Sequence, residues 1–195
     1  MSDKTEIVDF MQRFSFATII TAKDNLPTAT HLPFLVTLQD DKIVLSSHFA
    51  KANDHWKDIE NGKILVIFSE PHAYISPNNY DKVLNVPTWN YIAVHAYGQA
   101  KLITDTDQVF KLLENSINSF EESYKTQWDN LPNDYKLGMA KGIVGFEIEV
   151  TDLQAKKKLS QNKTANEQAN IINSLSASTD TNEKLIADYM KTNGH

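Results

Sequence analysis

The chain has 195 residues, 41% hydrophobic and 23% charged, and its 19 lysines and arginines against 25 acids give a formal net charge of −6. These proportions exclude disorder over the whole length and supply enough apolar surface for one domain with a substantial core. They also exclude strong nonspecific binding of polyanions, and with Arg13 as the sole arginine the commonest bidentate reader of guanine is present once. Cysteine is absent, which removes disulfides, thiolate metal sites and cysteine nucleophiles.

The first residues alternate in charge and lead into an amphipathic pattern instead of an uninterrupted apolar run, so a cytoplasmic protein is expected. The longest stretch free of charged residues, 83–100, contains Asn85, Pro87, Asn90, His95 and Gly98 and is too polar to span a membrane.

Ile7, Phe10, Met11 and Phe14 recur at spacings of three and four, which predicts a helix opening near Ser2 or Asp3 and packing on a sheet. A strand over 14–21, a turn at Lys23-Asp24-Asn25 and a second strand over 31–38 read as a hairpin. A turn at Gln39-Asp40-Asp41, a strand over 42–47, a helix over 50–61 stopped by Gly62 and a strand over 63–68 follow. The polar, proline-bearing stretch 70–88 reads as a long loop, and a strand runs from Trp89 towards Ile103. Val109, Leu112, Leu113, Ile117, Phe120 and Tyr124 mark a helix capped by Thr104 or Asp105. A short helix over 133–141 and a strand over 143–150 come next, and 156–162 reads as a loop. Thr164-Ala165-Asn166-Glu167 is a capping box for a helix to about Leu175, and a last helix carries Leu185, Ile186, Tyr189 and Met190. Short strands in hairpin order, with helices inserted late, favour an antiparallel sheet or barrel.

Six scattered glycines write neither a Walker loop nor a dinucleotide fingerprint, and the five internal histidines match no zinc spacing. No metal is expected. Four clusters carry chemistry. In His31-Leu32-Pro33-Phe34, a proline within a strand exposes neighbouring backbone, though a plain edge strand explains it equally. Ser46 to Trp56 places hydroxyls, His48 and Lys51 at a strand-to-helix junction suited to phosphate, or to ordinary capping by Ser or Asn. Pro71-His72-Ala73-Tyr74-Ile75-Ser76-Pro77 and Val86-Pro87-Thr88-Trp89-Asn90-Tyr91 combine rings and amides that suit a flat heteroaromatic ligand, or simply a core. Lys158-Leu159-Ser160-Gln161-Asn162 is a polar loop behind three lysines.

Taken in order, these clusters resemble the PaiB-like family of FMN-binding transcriptional regulators. The match continues through His95, Gly98 and Ile143-Val144-Gly145-Phe146 and spans roughly residues 27–175. It departs at Glu70, where the family has glycine, at Asn78-Asn79-Tyr80, where Ser-Trp-Tyr is common, and at Lys157, where tryptophan is usual. The resemblance implies a mainly β fold with helices, a split β-barrel of the flavin-reductase and pyridoxamine-oxidase type, as a homodimer with FMN at the interface. The expected domains are a barrel over 1–175 and a helical extension over 176–195, whose last helix lies beyond the resemblance.

By the same resemblance Ser47, His48, Lys51 and Asn53 would hold the phosphate, and His31, Leu32, Pro33 and Phe34 would border the isoalloxazine. Trp89, Asn90 and Tyr91 would supply stacking and amide contacts, and Lys158, Ser160, Gln161 and Asn162 would close the pocket. Flavin brings its own redox chemistry, so no catalytic acid or base is assigned. The alternative is a flavin-dependent oxidoreductase acting on a small substrate or on NAD(P)H. A third reading is a haem protein with His72 or His95 as axial ligand. DNA contact is not favoured by the charge; if it occurs, Lys156, Lys157 and Lys158 or the late helices would make it.

Overall fold

The computed structural model describes residues 3–192. Among the described residues, seven strands form one antiparallel sheet in the order β2-β1-β5-β6-β7-β4-β3, and six α-helices accompany them in the sequence. In chain order these are α1 (Lys4–Arg13), β1 (Phe16–Lys23), β2 (Leu26–Pro33), β3 (Leu35–Gln39), β4 (Lys42–Ala50), β5 (Lys63–Ile75) and β6 (Thr88–Ile103). Then come α2 (Thr106–Phe120), α3 (Lys125–Asn130), α4 (Asn133–Ala140), β7 (Ile143–Lys158), α5 (Ala165–Ser176) and α6 (Thr181–Thr192). The chain divides into two compact units: a smaller one made of Ser69–Val94 and the segment from Ala155 onwards, and a larger one made of the remainder.

In the larger unit both hairpins turn on two residues with positive φ, Asp24 and Asn25 at 52° and 63°, and Asp40 and Asp41 at 46° and 66°. Aspartate and asparagine tolerate this region, and the mirror-image turn matches the twist of the flanking strands. Strands β2 and β3, the two ends of the sheet, are consecutive in sequence and separated only by Phe34. Phe34 is 1% exposed and meets Phe68 and Phe146 edge-on, at 6.0 and 6.1 Å, in the core. Helix α1 is capped by the Asp3 carboxylate and buries Ile7, Val8, Phe10 and Met11. Gly98 has no room for a side chain, since a Cβ there would lie 2.3 Å from the carbonyl oxygen of Glu149.

In the smaller unit α5 opens with the expected capping box, Thr164 and Glu167 bonding each other's backbone. Ile171 and Leu175 on this helix, with Ile186, Ala187 and Met190 on α6, are buried.

Three expectations are corrected. Residues 50–61 do not form a helix: β4 runs on to Ala50, and only Asp54–Asp58 make a five-residue 3-10 turn. Asn53 caps that turn, and the consecutive polar residues offer no apolar stripe to sustain it. The strand over 63–68 continues to Ile75, through Pro71. Its buried positions shift from Ile64, Val66 and Phe68 to Pro71, Ala73 and Ile75, a slip of one residue across the exposed pair Ser69 and Glu70, which admits the proline. Finally, Lys156, Lys157 and Lys158 belong to β7 and not to a loop. Helix α3 has no counterpart in the sequence reading, being too short to show a period.

Candidate functional site

The larger unit carries the residues expected around a phosphate. The Ser47 hydroxyl, in a residue 3% exposed, donates to the carbonyl of Pro33 at 2.6 Å, which fixes the end of β2 against β4. His48 stands opposite Gly145 in the β4–β7 ladder and is half-buried. Burial pushes its imidazole below the ordinary 6.5, so near neutral pH the ring is uncharged and offers one N–H and one lone pair. Lys51 is tied by its backbone, its N–H donating to Gly142 at 2.8 Å and its carbonyl accepting from the Trp56 indole at 3.1 Å. Its ammonium is exposed and has no ion-pair partner among the described residues.

Asn53 is engaged locally. Its side-chain oxygen accepts from the His55 N–H at 3.1 Å, and its amide donates to the Thr30 hydroxyl at 3.3 Å. His55, 5% exposed, is held between the hydroxyls of Thr21 at 2.9 Å and Thr30 at 2.8 Å. This arrangement joins the 3-10 turn to β1 and β2 and keeps Lys51 in place. On β2, His31 stacks on the exposed ring of Phe16 with centroids 6.4 Å apart, Leu32 faces Ala17 across the ladder, and the Phe34 N–H donates to Ser15 at 2.8 Å. The Phe34 ring is core.

The smaller unit carries the ring and amide residues. Trp89 is 52% exposed and contacts His72 at 5.9 Å and Tyr74 at 5.7 Å, both on the neighbouring stretch of β5. Asn90 is fully buried; its oxygen accepts from the Ser160 hydroxyl at 3.0 Å, and its amide meets the Met190 sulfur at 3.5 Å. Tyr91 is half-buried. Lys158 donates to the Thr88 hydroxyl. Gln161 closes its own loop, accepting from the Leu159 N–H at 2.8 Å and donating to the Lys157 carbonyl at 2.7 Å, while Asn162 is exposed.

Sequence reasoning missed the anchorage of the loop after β5. Asp81 accepts from Asn166 at 2.6 Å and from Thr164 at 3.2 Å, and its N–H donates to Glu167 at 3.2 Å. Lys163 lies 3.5 Å from the centre of the Tyr80 ring and reaches Asn85 at 3.2 Å. No local pattern marks Asp81, because its side-chain partners lie 83 and 85 residues away.

In the larger unit the exposed Lys51 ammonium and the uncharged His48 ring are a cation and a donor of the kind a phosphate takes; in the smaller unit the exposed Trp89 indole is a face of the kind a flat ring stacks on. No metal-binding cluster occurs among the described residues.

The fold is that of the split-barrel class. The family described as "Putative FMN-binding domain" matches residues 1–152, and the chain belongs to it; FMN is that family's cofactor. The chain is 38% identical over 194 residues to the protease synthase and sporulation protein PAI 2 of Bacillus subtilis, covering 98% of this chain and 93% of the relative. Among solved structures, the flavocytochrome Anf3 of Azotobacter vinelandii superposes with a TM-score of 0.64 at 17% identity, covering 81% of this chain and 68% of that one. The FAD and heme binding protein of Mycobacterium smegmatis does so with 0.65 at 12% identity, covering 87% and 78%. The expected fold, a split β-barrel with peripheral helices, is thereby established.

Proposed function

We propose that the protein binds FMN as a homodimer and acts in the control of gene expression. The exposed Lys51 ammonium, without an ion-pair partner among the described residues and just past the strand end that carries the uncharged His48 ring and the Ser47–Pro33 bond, is the observation that carries the flavin part. Lys51 and His48 hold the phosphate, and Ser47 and Asn53 position them. His31, Leu32, Pro33 and Phe34 border the ring system with backbone and packing. In the smaller unit Trp89 and Tyr91 present aromatic surface, with Asn90 and Ser160 holding their strand, and Lys158, Gln161 and Asn162 add polar groups to the same unit. Flavin supplies one- and two-electron chemistry when bound.

The regulatory part is supported by the relative named for protease synthesis and sporulation, together with a net charge of −6 that favours action through a protein partner over direct contact with DNA. The test is an absorption spectrum of the purified protein with and without added FMN, followed by gel filtration. Flavin bands co-eluting with a dimer are expected. A protein that leaves FMN behind on the column overturns the cofactor assignment, and a monomer overturns the assembly.

A further inference from the structure

We propose that a cleft in the larger unit, bordered by α1 and α2, binds a neutral saccharide. It measures about 1100 Å³ and is lined from α1, β3, β4, β7 and α2. Of the residues assigned to flavin, only Phe34 borders it, so the proposal goes beyond the flavin reading and does not depend on it.

Two local arrangements make the walls. On one side α1 and the residues after it close the edge of β3: Gln12 donates to the Val36 carbonyl at 2.9 Å, and the Ser15 carbonyl accepts from the Phe34 N–H at 2.8 Å. On the other side α2 comes down onto β7 at Gly145, where a Cβ would lie 3.0 Å from the Leu112 methyl. Leu35, Ser46 and Glu147 stand opposite one another on β3, β4 and β7, so their side chains share one face of the sheet, and all three line the cleft.

Ser46 marks the cleft as a site. The residue is 8% exposed, the surface it keeps opens into the cleft, and its hydroxyl has no hydrogen-bond partner among the described residues. Hydroxyls buried this far are as a rule bonded, to the protein or to a bound molecule. Beside it in the ladder, the exposed Glu147 carboxylate is also without an ion-pair partner among the described residues.

The lining chemistry selects the ligand. Gln108, Lys111, Asn115 and Asn118 follow at spacings of three, four and three, so one stripe of α2 turns amides and an ammonium to the cleft. None of these side chains has a hydrogen-bond partner among the described residues. An apolar ligand would find little to cover, because Phe34, Val36 and Leu112 in the lining are already buried. An ion of either sign would meet a like charge, because Arg13 and Lys111 share the lining with Asp9 and Glu147. A neutral molecule dense in hydrogen-bonding groups meets neither objection. Each sugar hydroxyl both donates and accepts, and the planar end of an amide or a carboxylate engages two neighbouring hydroxyls at once. The volume leaves room for more than one ring.

The test titrates the full-length protein with maltose, cellobiose, trehalose and diacetylchitobiose by isothermal calorimetry. Saturable binding of at least one of them is expected. Ser46→Ala and Asn115→Leu should each weaken it by about threefold to tenfold, the loss of one hydrogen-bonding group. Asn115 is exposed on α2, so its replacement leaves the fold intact even where Ser46→Ala disturbs it. Lys111→Gln should stay within about twofold of wild type, since the ligand carries no charge. Absence of saturable binding by all of these sugars overturns the proposal, as does sugar affinity unchanged in both Ser46→Ala and Asn115→Leu. Binding of inorganic phosphate that disappears in Lys111→Gln would make the cleft an anion site, and sugar binding lost in Lys51→Glu would place the sugar on the flavin residues. Either result overturns it as well.

Discussion

The Ser160 hydroxyl donates to the side-chain oxygen of Asn90 at 3.0 Å, a bond between residues 70 apart in sequence and 4% and 0% exposed. It ties the turn after β7 to the start of β6 inside the smaller unit. Ser160 also holds a φ of 58°, in the left-handed region. Removing the hydroxyl leaves a buried acceptor unpaired, which costs roughly 1–3 kcal/mol. Ser160→Ala is therefore expected to lower the urea midpoint clearly. Ser160→Gly should fall less far, because glycine accepts the positive φ without strain. Equal midpoints for the two variants would show that the backbone angle carries no cost here.

Lys51 concerns ligand and not fold. Its side chain is exposed, so Lys51→Glu should leave the melting temperature nearly unchanged. FMN affinity should drop by about tenfold or more, since a charge-assisted contact is worth roughly 1.5–3 kcal/mol. Riboflavin, which lacks the phosphate, should bind wild type and variant alike. Titration of both ligands by flavin fluorescence checks this, and a parallel loss of riboflavin binding would remove Lys51 from the phosphate.

Two glycines should respond differently to alanine. At Gly98 the new methyl would meet a backbone carbonyl at 2.3 Å, which only a shift of β6 or β7 can relieve. At Gly145 it would meet the end of the Leu112 side chain at 3.0 Å, which can rotate. Overpacking of the rigid kind costs about 1–3 kcal/mol or more. Gly98→Ala is expected to be the more destabilising by thermal denaturation, and the reverse order would contradict the β6–β7 approach.

His48 and His55 set a pH dependence. Burial pushes both imidazoles below 6.5, with nearby Asp58 partly opposing this at His55. Between the lowered folded-state values and 6.5 the unfolded chain takes up protons that the folded chain refuses, so the stability is complete above about 6.5 and falls as pH drops through that window. Denaturant midpoints measured from pH 7 downward should decline, and the double variant His48→Gln, His55→Gln should flatten the decline. An unchanged slope would exclude both rings as its source.

Elements with a clear period were legible in the sequence: α1, α2, the capping box of α5 and both two-residue turns appear where the spacing of apolar residues and the Asp/Asn pairs place them. Ends were less so. Strand β5 was cut short because Pro71 reads locally as a breaker, whereas a one-residue slip in the strand accommodates it. The stretch after Ala50 read as helix because Gly62 offers a stop after it, while Asn53 commits its side chain to capping a five-residue turn and few apolar residues sustain a longer run. Within the candidate site, the residue types around Lys51 were visible, but the bonds that engage Asn53, Asn90 and Asp81 were not. Each depends on a partner brought close by the fold, as Asn90 depends on Ser160 and Asp81 on Asn166.

Strand β4 pairs with β7 in a register that sets Val44 opposite Glu149. On the ribosome, the first four strands therefore emerge without the neighbour that completes β4, and must wait until about a hundred further residues have been made. A stalled chain ending before β7 would expose one side of β4 for pairing with other nascent chains. For this protein, translation speed through residues 50–150 thus governs how long an unprotected edge persists.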